Sequence, residues 1–230
     1  MDYVIPPAPT PALAVRGTSA RFPVRRIYCV GRNFAEHAKE MGATIDRGRP
    51  VFFGKPGDAV LPGGGAMPFP LGTTDLHHEV ELVVALARDA GGVVEPARAL
   101  ELVYGYTVGL DLTRRDLQAA AKAKGLPWFT AKAFDHSAPI GELVPVAQAG
   151  PVFTRRISLE VNGELRQQAL LSDMVWSVAD ILHELSKLFA LRAGDLVFMG
   201  TPAGVAALRP GDGYVASIEE LARFEGALDA

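Results

Sequence analysis

The chain has 230 residues, 49% of them hydrophobic and 21% charged, and its formal net charge of -3 comes from mixed signs, which excludes a disordered polyelectrolyte and leaves no basic stripe for a nucleic-acid backbone. Cys29 is the only cysteine, so an internal disulfide is impossible, and no apolar run approaches the ~18 residues needed to span a bilayer. The opening MDYVIPPAPTPALAVRG lacks the basic and apolar regions of a signal peptide, which makes the cytoplasm the expected location.

In chain order, RRIYCVG reads as a first buried strand, and NFAEHAKEM as a helix capped by Asn33 with Glu36 three residues on. VFFGK follows as a strand, and LPGGGAMPFPLGTTD, 61–75, reads as a loop rich in turn residues. EVELVVAL and YGYTVGLDL are apolar strands; TRRDLQAAAKAKG reads as a helix capped at Thr113 and stopped by Gly125. ISLEVNGELRQ carries Asn162-Gly163, the dipeptide that a two-residue type I′ hairpin prefers. SVADILHELSKLFALRAGD predicts a helix with Ser177 as cap and Val178, Ile181, Leu182, Leu185, Leu188 and Phe189 on its apolar face, and DLVFMG closes the set as a strand. Strands dominate and do not alternate with helices as a doubly wound sheet requires, so the fold class is a mixed, β-rich α/β domain with a few short helices.

The stretch DLHHEVEL poses the functional question. On a strand, His77, Glu79 and Glu81 share one side and His78 the other. Carboxylates roughly 7 Å apart repel unless they are solvated or bridged by a cation. A solvated outer face and a metal site are both open, although the apolar run after Glu81 favours a buried strand. Asp111, at the end of YGYTVGLDL, is either a helix cap or a third oxygen ligand; three carboxylates without sulfur suit a hard ion such as Mg²⁺ or Mn²⁺. His37 and Glu40 lie three apart on their helix, a spacing that lets Glu40 orient the imidazole as a general base or leaves both on a solvated face. Arg115 and Gln118 share a face of the next helix. Lys132, among apolar and aromatic residues, is a candidate for a buried lysine or an ordinary snorkelling one. The turn Gly200-Thr201-Pro202 with Gly204 offers backbone N–H groups to an anion, or is a plain tight turn. His136 reads as a loop residue and His183 as structural.

Six segments, CVGRNFAEHAKEMG, HHEVELVV, GLDLTRRDLQ, GLPWFTAKAFD, VNGELRQ and GDLVFMGTPAGV, occur in the order seen in the fumarylacetoacetate hydrolase family, a resemblance that covers 26–215. With the opening DYVIPPAPT and VYGYTVGLDLTRRDLQ, the chain is most similar to the bacterial fumarylpyruvate hydrolase branch. The resemblance implies a β-sandwich roll, with an N-terminal extension (1–24) before a single catalytic domain (25–230), and a homodimer. It assigns Glu79, Glu81 and Asp111 to a Mg²⁺ or Mn²⁺ site, His37 and Glu40 to a water-activating dyad, Lys132 to oxyanion stabilisation, and Arg115, Gln118 and Thr201 to substrate contacts. Segment 42–50 falls where the family carries a lid. The activity implied is metal-dependent hydrolysis of a carbon–carbon bond in a 2,4-dioxo acid, 3-fumarylpyruvate giving fumarate and pyruvate in gentisate breakdown. Acylpyruvate hydrolysis, oxaloacetate decarboxylation and dienoate isomerisation by the same site are the alternatives, with a non-catalytic carboxylate-binding module as a rival of another class.

Overall fold

The computed structural model describes residues 2–40 and 48–230. The expected lid, 42–50, therefore lies outside the described residues except for its last three positions. Among the described residues, the central curled sheet runs in the spatial order Val51–Pro56, Arg26–Gly31, Asp195–Phe198, Val80–Leu86, Val103–Leu110, Ala138–Ile140, Val60–Pro62. Asp195–Phe198 pairs parallel with Arg26–Gly31 but antiparallel with Val80–Leu86, so the sheet is mixed. A second sheet, ordered Glu164–Leu170, Arg156–Val161, Gly213–Ile218, Ala222–Leu228, Gly64–Met67, packs across one face. The N-terminal hairpin, Ala12–Val15 with Thr18–Pro23, covers part of the other.

This arrangement explains why Val80–Leu86 is apolar on both sides. Val80, Leu82, Val84 and Leu86 join the large cluster shared with Ile157, Leu159, Ala216 and Phe224 of the second sheet. Val83 and Ala85 join the smaller one with Leu13, Val15 and Phe22 of the hairpin. A strand buried on both faces reads as a continuous hydrophobic run, and Glu79 and Glu81 share the hairpin-side parity of Val83. Across the ladder Glu81 faces Gly109, where a side chain would sit 2.8 Å from the Phe198 ring; a glycine there lets the sheet close tightly beneath the carboxylates.

Several sequence expectations hold locally. Asn162 and Gly163 have φ of 52° and 79°, the left-handed pair that the hairpin between Arg156–Val161 and Glu164–Leu170 demands. Ser177 caps Val178–Ser186 in a reciprocal box, its Oγ accepting from Asp180 N at 3.2 Å while Asp180 Oδ2 accepts from Ser177 N at 3.1 Å.

Other expectations are corrected. Asn33 caps no helix: Ala35–Glu40 starts without it, and its amide bonds the Trp176 backbone and the Met199 carbonyl instead. Thr113 lies in the short strand Thr113–Arg114, and Arg115–Ala123 starts after it, because the Thr113 hydroxyl is engaged with the Asp111 carbonyl and Lys132. The loop expected over 61–75 contains the end of the strand Val60–Pro62 and the strand Gly64–Met67, which pairs with Ala222–Leu228; at Gly64 a side chain would clash with the Glu225 carbonyl. Leu188 and Phe189 fall beyond the helix end and are exposed. Among the described residues no helix is long and apolar enough to cross a membrane.

Candidate active site

Glu79 stands one residue before Val80–Leu86, Glu81 inside it, and Asp111 one residue past Val103–Leu110. The Asp111 N–H donates to the Glu79 carbonyl at 2.8 Å, which locks the two strand ends in register. An oxygen of each of the three carboxylates lies within 4.8 Å of the others, and all three side chains are buried. The solvated-face reading of Glu79 and Glu81 is therefore excluded.

Cations surround this cluster. The Lys132 ammonium, from the short helix Phe129–Lys132, donates to Glu79 Oε2 at 2.7 Å, Asp111 Oδ2 at 2.6 Å and Thr113 Oγ1 at 2.6 Å. Arg115, the first residue of its helix, donates to Glu79 Oε1 at 2.5 Å and to Gln118 Oε1 at 2.6 Å. Behind Arg115, its Nε donates to His77 Nδ1 at 3.3 Å, and His77 Nε2 lies 2.9 Å from Asp75 Oδ1. Lys55, buried in Val51–Pro56, donates to the Leu112 carbonyl at 3.2 Å and to the Lys132 carbonyl. Its ammonium is 2.9 Å from Asp111 Oδ1, yet that buried oxygen has no well-aligned donor.

The electrostatics separate the carboxylates. Burial opposes ionisation of Glu79, but Lys132 and Arg115 outweigh it and hold the group well below the usual carboxylate range. Burial, followed by repulsion from Asp111 and Glu79, pushes Glu81 well above that range. Lys132 stays firmly charged, since Asp111 and Glu79 overcome its own burial. Glu81 accepts one hydrogen bond, from Gly200 N at 2.7 Å. A hard divalent cation fits this donor set: three buried oxygen ligands, one of them short of a compensating charge and another with an unaligned oxygen.

His37, of the expected dyad, lines the same cleft. His37 is buried and its Nδ1 lies 3.2 Å from Glu40 Oε2; Glu40 Oε1 accepts from Gly204 N at 3.0 Å. Two backbone N–H groups of the expected nest, those of Gly200 and Gly204, are thus engaged by Glu81 and Glu40. Thr201 accepts from Gln167 Nε2 at 2.8 Å, while Gln167 Oε1 accepts from Val80 N at 3.1 Å and lies 2.9 Å from His78 Nδ1. Triad, His37, Arg115, Gln118, Lys132 and Thr201 all line one cleft. Every residue expected from the sequence at the site is brought together, Glu40 through its bond to His37. His77, His78 and His136 do not line it.

Three residues of the arrangement escape the sequence reading. Lys55 offers a cue, a lysine inside the apolar run VFFGK; Asn33 has the spacing of a cap; Gln167 sits in a polar strand without any mark of its inward direction.

The chain matches the family model for the C-terminal part of fumarylacetoacetate (FAA) hydrolase over residues 26–228. It is 44% identical over 195 residues to the mitochondrial oxaloacetate tautomerase FAHD1 of Rattus norvegicus, covering 85% of this chain and 87% of that protein. Against the oxaloacetate tautomerase YcgM of Escherichia coli (strain K12) it is 40% identical over 198 residues, covering 86% and 90%. The crystal structure of the fumarylpyruvate hydrolase from Pseudomonas aeruginosa in complex with Mn²⁺ and pyruvate superposes with a TM-score of 0.96 at 44% identity, covering 99% of both chains.

Proposed function

The chain is an enzyme of the fumarylacetoacetate hydrolase family, and from that premise we propose that it hydrolyses the carbon–carbon bond of a 2,4-dioxo acid, with 3-fumarylpyruvate the foremost substrate. Glu79, Glu81 and Asp111 hold the divalent ion, Mg²⁺ or Mn²⁺. Bound there, it supplies Lewis acidity toward the 2-oxo acid end of the substrate. Arg115, Gln118 and Thr201 orient that end by charge and hydrogen bonds. His37, kept in position by Glu40, removes a proton from the water that attacks the C4 carbonyl. The Lys132 ammonium, shared among Glu79, Asp111 and Thr113, lends its positive charge to the oxyanion that forms at C4. As the oxyanion collapses, the C3–C4 bond breaks; the water's oxygen stays with the acyl half as a carboxylic acid, and C3 takes up the electron pair and then a proton, giving pyruvate.

The observation that carries this reading is His37, bonded to Glu40 behind it and lining the same cleft as the carboxylate triad. The match to the Pseudomonas aeruginosa hydrolase over nearly all of both chains supports it. A second reading, tautomerisation or decarboxylation of oxaloacetate, draws support from the tautomerases at 40–44% identity and from the same base, which can also move a proton at the carbon between two carbonyls. The test follows the enol absorbance of fumarylpyruvate with Mg²⁺, with EDTA and with Glu81→Ala, running oxaloacetate alongside. Metal-dependent loss yielding fumarate and pyruvate supports the hydrolase; turnover of oxaloacetate alone moves the assignment to the second reading. A homodimer and a place in gentisate breakdown are part of the proposal, the former checked by light scattering.

A further inference from the structure

We propose that Lys122 and Arg32 form the subsite, at the mouth of the cleft, that recognises the distal carboxylate of the substrate and so select for acyl groups that carry one. The inference rests on the hydrolase reading above and assigns residues that reading leaves without a role.

The cations of the cleft fall into two sets. Lys132, Lys55 and Arg115 are all engaged with the triad or the carbonyls beside it. Lys122 and Arg32 line the same cleft, yet neither makes an ion pair or hydrogen bond among the described residues. Lys122 rests instead on the Trp128 ring, its Nζ 5.3 Å from the centroid, a stacking that shields its stem and aims its charge. Burial and the repulsion of Arg115 and Arg32 lower its pKa from the ordinary lysine value. Positive groups that converge on a cleft without a partner are matched by an anion from solution.

Arg32 adds an independent observation. Its φ is 62°, in the left-handed region where glycine sits without strain and a residue with a Cβ does not. Gly31 precedes it in the chain and Gly200 packs against Val30 and Asn33 on either side of that pair, but an arginine occupies this position. A strained backbone that keeps a long cationic side chain at a cleft mouth points to work done by the side chain.

Spacing sets the length of the ligand. Lys122 is seven residues after Arg115 on the helix Arg115–Ala123, so the two share a face and stand ~10 Å apart along its axis. That separation is of the order of the distance between the end carboxylates of an extended seven-carbon dioxo diacid. A short acylpyruvate, gripped at its oxo-acid end by Arg115, leaves Lys122 and Arg32 unpaired.

The test compares kcat/KM for fumarylpyruvate with that for acetylpyruvate, which has the same reacting end and a methyl group in place of the distal acid. In Lys122→Met the ratio is expected to fall on the order of ten-fold through KM, the loss of one charge-assisted contact, and Lys122→Arg to restore it. Arg32→Gly is expected to lower the ratio while melting no lower than the wild type, since it relieves the left-handed backbone. An unchanged ratio in both variants overturns the subsite. Calorimetric binding of fumarate against crotonate to the Mg²⁺-loaded protein reads the subsite without turnover. If the wild type hydrolyses neither oxo acid, the hydrolase reading fails, but tighter binding of fumarate that is lost in Lys122→Met still supports the subsite. Equal affinity for the two, or no binding of fumarate, overturns it.

Discussion

The floor of the cleft and its wall are built on different principles. Glu79, Glu81 and Asp111 sit on or beside central strands, covered on both faces, with Lys132, Lys55 and Arg115 packed around them. His37 and Glu40 sit on the six-residue helix Ala35–Glu40, tied to the rest by the Glu40 bond to Gly204 and by the bonds of Asn33 to the Trp176 and Met199 backbone. The floor fixes charges in a dry, rigid frame, where they act strongly and need no rearrangement at the moment of reaction. The wall presents a base through a few directional bonds. Binding and proton transfer should therefore be separable by mutation.

The largest effect is expected at the floor. Glu81→Ala removes a ligand and should lower turnover by about 10³-fold or more, because Lewis acidity contributes several kcal/mol, with the bound metal lost in elemental analysis. Metal content equal to wild type would break the distinction. His37→Ala should lower turnover by about 10²–10⁴-fold with full metal content, since the wall contributes no ligand. Asn33→Ala strips three hydrogen bonds from the joint between wall and floor and leaves the Trp176 N–H and Met199 carbonyl unpaired. It should cost about 2–3 kcal/mol of stability, read as a shift in the urea midpoint, with a fall in kcat because the base is less well positioned.

The smallest effect is a pH dependence of the metal-free floor. The folded protein keeps a proton on Glu81, which burial, Asp111 and Glu79 hold well above the usual carboxylate range, at pH values where the unfolded chain releases it at about 4.3. The stabilisation from that proton is complete below the unfolded value and is lost as pH rises through the folded one. Glu79 behaves oppositely: its depressed folded pKa gives stability that is present above the unfolded value and lost in acid. In EDTA, urea midpoints should accordingly decline between pH 5 and 8, and Mg²⁺ should remove the decline, because the cation replaces the proton. A midpoint that rises over this range in EDTA would contradict the assignment of Glu81 as the uncompensated ligand.

How much of this was readable in the sequence follows from the same contrast. The apolar run after Glu81 reports a strand buried on both faces, because burial leaves a compositional trace; the hairpin at Asn162-Gly163 and the cap at Ser177 were legible because their chemistry is local. The caps expected at Asn33 and Thr113 failed for a physical reason. A side chain that can bond its own helix can equally bond a distant strand, and here tertiary partners, Trp176 and Met199 for Asn33 and Lys132 for Thr113, take it. The strands inside 61–75 were hidden because a glycine needed for close approach, Gly64 against the Glu225 backbone, looks like a turn residue. Lys55 and Gln167 act through contacts 57 and 34 residues away in sequence, and no local pattern encodes those.

The most direct test of the central claim is a proton NMR time course of fumarylpyruvate with the Mg²⁺-loaded protein, wild type beside His37→Ala. Equal amounts of fumarate and pyruvate are expected from the wild type and almost none from the variant at full metal occupancy. Unchanged fumarylpyruvate with the wild type, or undiminished cleavage by His37→Ala, would contradict that claim.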